Sequence, residues 1–235
     1  MLKKLLPLAL ASLFVASVNA DEAEIKKAME TKLGAKVESV TKSGYLGLYE
    51  IYADGNILYT DEKMTAFIAG GQLIEGKTMK NLTEERMRKL TAIKFSELPF
   101  ERAIKQVRGE GKRVMATFED PNCGYCKRLA KDMLKLDNVT VYTFLLPILS
   151  EDSIKKSKQI WCSADRSKAW NDWMVNNTSP GAKADCDTST IDKVVALGQK
   201  LNIRGTPTIF LSNGERIPGA VSLAKLEQSM AAAAK

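Results

Sequence analysis

The sequence predicts two unlike folded units in series, a small α+β unit and a larger α/β unit, joined by a charged helix. Three observations carry that expectation. Residues 21–81 offer one amphipathic helix and about four short strand-like stretches, the makings of an α+β unit. Residues 82–98 open on Glu84-Glu85-Arg86, a charged run with a helix start ahead of it. Residues 99–235 hold a strand–helix–strand order between Arg113 and Leu146, the spacing of a βαβ unit with parallel strands. A chain of 235 residues has room for both units.

Before either unit stands a leader. Lys3 and Lys4 form a positive start, Leu5 to Val18 an apolar stretch, and Val18-Asn19-Ala20 a small-residue cleavage site. The expectation is a secretory signal over residues 1–20, cut after Ala20. The competing reading, a membrane anchor, is disfavoured because the run is short and meets Asp21 and Glu22 at once. Loss of the two lysines lowers the net charge from +7 to +5. These charges are mixed along the chain, with no basic stripe interleaved with aromatics, so nucleic-acid binding gains no support. Export places the cysteines, at 123, 126, 162 and 186, in an oxidising compartment. The sequence holds no histidine, which removes Cys–His and Ser–His–Asp nucleophile arrangements and His-ligated zinc.

In the first unit Asp21–Leu33 reads as a helix with Ile25, Ala28, Met29 and Leu33 on one face and Gly34 as its stop. Strand-like stretches follow at Lys36–Val40, Tyr45–Tyr52, Asn56–Thr60 and Thr65–Ile74. Ser43-Gly44 and Asp54-Gly55-Asn56 supply the turns. A unit this small has little core of its own, so pairing with a second copy would help it. Thr83 can cap a helix running from Glu84 to about Phe95.

In the second unit Phe100–Val107 reads as helix, Arg113–Phe118 as strand, Cys123–Leu136 as helix and Val139–Leu146 as strand. Glu151 to Asn176 is mostly helical. Ser189 with Asp192 resembles a capping box opening a helix with Ile191, Val194, Val195 and Leu201. Thr208–Leu211, an Asn213-Gly214 turn and Arg216–Ile217 form a hairpin, and Leu223–Ala233 closes the chain as a helix.

The chemistry concentrates in Cys123-Gly124-Tyr125-Cys126, which follows a strand and opens a helix. Unpaired amides at a helix start favour an anion, and a thiolate at Cys123 is such an anion. Lys127 and Arg128 add positive charge to the same turn. Cys126, Leu129, Ala130 and Met133 follow i, i+3, i+4, i+7, so Cys126 faces the core. One exposed, activated sulfur and one buried, resolving sulfur suit exchange through a mixed disulfide. Three bland readings compete with this one, and chance placement of C-x-x-C at a strand–helix junction is the weakest of them. Zinc would need four convergent ligands, and the other cysteine pair is spread over 23 intervening residues. A structural staple within C-x-x-C would close only a tiny loop.

Cys162 and Cys186 are expected to pair as a structural disulfide, worth about 3.5 kcal/mol for a loop of this length; a second redox centre is the alternative. Arg204-Gly205-Thr206-Pro207-Thr208 places a proline directly ahead of a β-rich run, where it cannot donate to a ladder. A cis peptide there would turn the backbone of Thr206 toward an incoming chain.

Together, Cys-Gly-Tyr-Cys after a strand, Thr206-Pro207 near the C-terminus, a helical insertion and a later cysteine pair resemble the thioredoxin fold. With the preceding α+β unit and charged helix, the mature chain resembles the DsbC-type disulfide isomerases along essentially its whole length. That resemblance implies a cystatin-like dimerisation domain over residues 21–81, a linker helix over 82–98 and a thioredoxin-fold α/β domain with a helical insertion over 99–235. It implies Cys123 as nucleophile and Cys126 as resolving cysteine, a cis Pro207 beside them, and Thr206 with Gly124 and Tyr125 as substrate-binding residues. Cys162–Cys186 becomes the structural bridge, and Phe67, Ile68, Ala69 and Gly70 the dimer interface of a V-shaped homodimer. The implied setting is the periplasm. The implied partners are misfolded disulfide-containing exported proteins and a membrane reductase of the DsbD type. Neither cofactor nor metal, nor stable membrane insertion, is implied.

One departure bears on mechanism. Many thioredoxin-fold enzymes carry an acid six positions before the first cysteine; here Thr117 stands there, leaving proton transfer to Cys126 without an assigned acid, and Glu119 and Asp120 unplaced. Two alternatives stay in view. A DsbA-like dithiol oxidase is opposed by the absence of a histidine between the cysteines. A chaperone-like binding module would use Tyr45, Leu48, Tyr49, Ile51, Phe67 and Ile68 as a cleft lining, unless they are ordinary core.

Overall fold

The computed structural model describes residues 22–34 and 36–234, so the expected leader lies outside the described residues. The chain divides into two compact units between Leu73 and Ile74.

The first unit packs helix α1 (Glu22–Leu33) on a four-stranded antiparallel meander, β1 (Val37–Lys42), β2 (Tyr49–Ala53), β3 (Asn56–Thr60) and β4 (Phe67–Ala69), in that order. Ile25 and Met29 of α1 meet Val37, Val40, Tyr49, Ile51 and Ala53 in the core. Tyr49 and Ile51 are therefore core rather than cleft lining. Leu33 is exposed. Eight residues beyond Ile25, it has rotated roughly 80° off that face at 3.6 residues per turn. The β2–β3 hairpin turns on Asp54 and Gly55, both left-handed with φ of 51° and 73°, as a two-residue loop requires.

Residues 45–48, expected as strand, form a wider turn instead. The Ser43 amide donates to the Leu48 carbonyl at 2.9 Å, and the Ser43 hydroxyl accepts from the Tyr45 amide at 3.1 Å. These local bonds satisfy the backbone that a strand would have used. The expected Thr65–Ile74 strand contracts to three residues. Thr65 is tied back to Asp61, and Gly70, with φ of 68°, breaks the extension.

The second unit is built on a five-stranded mixed sheet. Its strands are β5 (Ile104–Arg108), β6 (Arg113–Glu119), β7 (Val139–Leu145), β8 (Thr208–Leu211) and β9 (Arg216–Pro218), in the order β5-β7-β6-β8-β9. Only β6 and β7 pair in parallel. Helix α2 (Leu82–Thr91) precedes the sheet. Its cap is Asn81, whose side chain accepts the Glu84 amide at 3.0 Å, rather than Thr83. It stops at Thr91 rather than near Phe95, because the Ile93 amide is drawn to the Gly214 carbonyl at 3.0 Å and Ile93 joins the core. That approach requires a glycine: a Cβ at residue 214 would lie 1.9 Å from the Ile93 carbonyl oxygen.

Phe100–Val107 is not a helix. After a 3-10 turn at Phe100–Arg102 the chain enters β5, antiparallel to β7. The apolar letters at 100, 103, 104 and 107 fit a helical period, but the burial alternates in twos. Gln106 is buried, its side-chain amide donating to Ser167 at 3.1 Å, while Val107 is exposed. A buried polar side chain with a partner thus hid the strand period.

Helices α3 (Gly124–Met133), α4 (Glu151–Trp161), α5 (Arg166–Asn176), α6 (Ser189–Lys200) and α7 (Leu223–Ala233) cover the sheet. Met115 of β6 packs with Leu129 and Met133 of α3 and with α7, while its neighbours Ala116 and Phe118 pack with Val194 of α6. The expected capping box at Ser189 is absent; the Ser189 amide donates instead to the Asp187 side chain at 2.9 Å. Cys162 and Cys186 are joined by a disulfide.

Candidate active site

The site grows from the junction of β6 and α3. Cys123 is the N-cap of α3, with extended backbone, and its sulfur accepts the amide of Cys126 at 3.4 Å. The thiol therefore sits where the orphan amides of a helix start would stabilise its anion. Cys126, Leu129, Ala130 and Met133 form the buried face of the helix, as their spacing predicts. Cys126 is fully buried in a cluster with Leu145, Ile160, Trp161 and Trp170.

Cys123 departs from expectation: it is not an exposed sulfur but only 6% accessible. The loop ahead of β8 covers it, and the Cys123 thiol donates to the Thr206 carbonyl at 3.3 Å. The Thr206–Pro207 peptide is cis. Gly124 and Tyr125, between the cysteines, are exposed, and a Cβ at Gly124 would meet open space. The structure thus brings Cys123, Cys126, Gly124 and Tyr125 together with Thr206 and Pro207. The Cys162–Cys186 bridge closes the loop running from the end of α4 to just before α6. Phe67, Ile68, Ala69 and Gly70 belong to the other unit, where β4 is an edge strand with exposed Phe67 and Ile68. Among the described residues no group of three or more Cys, Asp or Glu could hold a metal ion.

Burial pushes the Cys126 thiol far above its ordinary range, and the neighbouring Glu119 and Cys123 push the same way. Glu119 is the residue that sequence reasoning left unplaced. Met115, Thr117 and Glu119 share the β6 face that looks toward α3, by the strand's period of two. Glu119 is fully buried, and burial raises its carboxyl to about 7 even though the Thr117 hydroxyl donates to it at 2.7 Å. Its second oxygen, Oε2, has no hydrogen-bond partner in the structure. The acid absent at position 117 is therefore present one step along the same face. An ionisable residue closing an apolar strand was the signal for it.

Trp173 was also missed as a site residue. Its indole donates to the Pro121 carbonyl at 2.6 Å, and Lys127 and Lys156 lie 3.9 and 4.7 Å from its ring centroid. It steadies the segment leading into Cys123. Burial, then Lys156 and Lys131, hold the Lys127 ammonium below its ordinary range.

This geometry is that of a thioredoxin-like domain carrying a dithiol, and residues 100–234 match the family model described as a thioredoxin-like domain. Residues 16–84 match the N-terminal domain of disulfide bond isomerase proteins. The probable thiol:disulfide interchange protein DsbC of Bordetella pertussis is 48% identical over 194 residues, covering 83% of this chain and 68% of its own length. DsbC of Escherichia coli K12 is 30% identical over 215 residues, covering 89% and 87%. A crystal structure of a disulfide interchange protein from Neisseria gonorrhoeae superposes with a TM-score of 0.56 at 38% identity, covering 59% of this chain and 99% of that one. The chain belongs to the DsbC family of thiol:disulfide interchange proteins.

Proposed function

We propose that this enzyme is a disulfide isomerase and reductase of exported proteins, with Cys123 as nucleophile. The carrying observation is the Cys123 sulfur at the start of α3, accepting the Cys126 amide above a fully buried partner thiol. The Cys123 thiolate attacks one sulfur of a substrate disulfide, forming a mixed disulfide and releasing a substrate thiolate. In isomerisation that or another substrate thiolate attacks the substrate sulfur of the mixed disulfide. A new substrate disulfide forms, Cys123 leaves as thiolate, and no net electrons move. In reduction Cys126 attacks the Cys123 sulfur and the second substrate thiolate departs. The Cys123–Cys126 disulfide that results needs two electrons from a dithiol donor, the role assigned to a membrane reductase of the DsbD type.

Cys126 can attack only after losing its proton into a site that disfavours its anion. Glu119, buried on the strand face beneath α3 and held near 7, is the acceptor we assign. Thr206 lies against Cys123 and offers backbone to a substrate segment, with Pro207, Gly124 and Tyr125 completing the binding surface. The leader sequence supports secretion into the periplasm with cleavage after Ala20, and the Cys162–Cys186 disulfide suits that compartment. The exposed edge strand β4, through Phe67, Ile68 and Ala69, with Gly70 behind it, supports a homodimer built on an N-terminal dimerisation domain proposed over residues 21–81. Residues 82–98 then serve as the connection to the catalytic domain over 99–235.

Refolding of scrambled ribonuclease tests the assignment. Cys123→Ala is expected to abolish isomerisation, and Cys126→Ala to retain it in part while accumulating mixed disulfide. Full activity in Cys123→Ala overturns the reading.

A further inference from the structure

Parallel neighbours β6 and β7 end at one edge of the sheet, where Glu119 pairs with Leu145. Carboxyl ends of adjacent parallel strands are where open α/β sheets hold ligands. The chain leaving β6 becomes Asp120-Pro121-Asn122-Cys123, and the chain leaving β7 becomes Leu146-Pro147-Ile148-Leu149. One carboxylate joins the two segments. Asp120 is fully buried. Its Oδ1 accepts the Asn122 amide and the Ser153 hydroxyl, each at 2.8 Å. Its Oδ2 accepts the amides of Ile148 and Leu149 at 2.9 and 3.0 Å, and its own carbonyl accepts the Cys123 amide at 3.1 Å. A single residue therefore sets the backbone of the nucleophile and the backbone of an apolar two-residue step beside it.

The side chains of that step are not used by the core. Ile148 is 42% and Leu149 57% accessible, and Tyr125, inside the C-x-x-C, is 60% accessible. Ile154, in the first turn of α4, is exposed as well. Among the described residues, half of the eight large apolar side chains exposed in the second unit thus fall on these two segments and the helix turns that follow them. Scattered single apolar residues need no explanation, but exposed ones gathered on the two segments that Asp120 ties to a reactive group do.

We propose that Ile148 and Leu149 dock an apolar side chain flanking the cysteine of an extended, unfolded substrate segment, so that the enzyme selects disulfides with apolar neighbours. The occupant follows from the continuity with the dithiol: whatever rests on this step must also deliver a disulfide to Cys123, which defines a cysteine-bearing polypeptide. A correctly packed disulfide has its apolar neighbours buried and unavailable, whereas a misplaced one leaves them free. The contact thus ties recognition to misfolding. It rests on the thiol–disulfide exchange proposed above.

The test uses the full chain and two peptide disulfides of equal length and charge, one with leucine and one with serine beside the cysteine, with glutathione as regenerating thiol. Wild type is expected to favour the leucine peptide about tenfold in kcat/KM. Ile148→Ser with Leu149→Ser is expected to bring the ratio to within about twofold, and Ile148→Met with Leu149→Met to restore it. Equal turnover of both peptides by wild type, a preference that survives the serine pair, or a preference lost in the methionine pair too overturns the docking role. So does an unchanged preference joined to an altered sedimentation coefficient in the serine pair, which would assign the step to a second copy of the chain. Turnover of neither peptide overturns the exchange reading and this inference together.

Discussion

Glu119 is where the chemistry and the stability of this protein pull apart. An acid with an ordinary value of 4.5 that burial raises to about 7 keeps its proton in the fold and releases it on unfolding. Stability from such a group is fully present below about pH 4.5 and is lost as pH rises through 7, at about 1.4 kcal/mol per pH unit between the two values. We expect Glu119→Gln in the reduced protein to be about 3 kcal/mol more stable than wild type at pH 8, and near wild type at pH 4.5. Urea unfolding at the two values measures it, and a wild-type pH slope that persists in the variant would remove Glu119 from this role. The same variant should slow resolution by Cys126 and leave attack by Cys123 nearly intact, so trapped mixed disulfide should rise.

At the scale of elements, the loops after β6 and β7 behave as one piece because Asp120 collects four hydrogen bonds on its side chain. Removing a buried acceptor leaves its donors unpaired, which costs more than the bonds themselves contribute. Asp120→Ala is therefore expected to lose about 3–5 kcal/mol, seen as a fall of roughly 10 °C in Tm. A shift of a degree or two would show that the loops hold without it.

These elements also show what a sequence discloses. The buried face of α3 and the Asp54-Gly55 and Asn213-Gly214 turns were legible, because each depends on local spacing or on a backbone conformation that few residues adopt. Strand β5 was not, because Gln106 is buried by a partner 61 residues away and Val107 is exposed. The cap at Asn81 was missed because a second capping residue, Thr83, stood two positions on. Cys123 read as exposed because the loop that covers it, Thr206, is 83 residues distant. What failed for β5 and for Cys123 was contact between remote segments, which periodicity does not record.

At the scale of the molecule, the two units divide the work. The second holds the dithiol and every residue assigned to exchange. The first ends in a short strand with an unpaired edge, an arrangement that invites pairing with another chain. Replacing Ile68 with aspartate sets a charge on that edge. Sedimentation velocity is expected to show the assembly shifted toward monomer, while a sedimentation coefficient equal to wild type would place the interface elsewhere.

The chain contains three tryptophans, and Trp161, Trp170 and Trp173 all pack in or against the cluster that holds Cys123 and Cys126. Indole emission is quenched by nearby sulfur and responds to local polarity. Every photon this protein emits from tryptophan therefore originates beside its dithiol. Opening and closing the Cys123–Cys126 bond should register as a change in ultraviolet fluorescence, allowing a glutathione titration to be followed without a label.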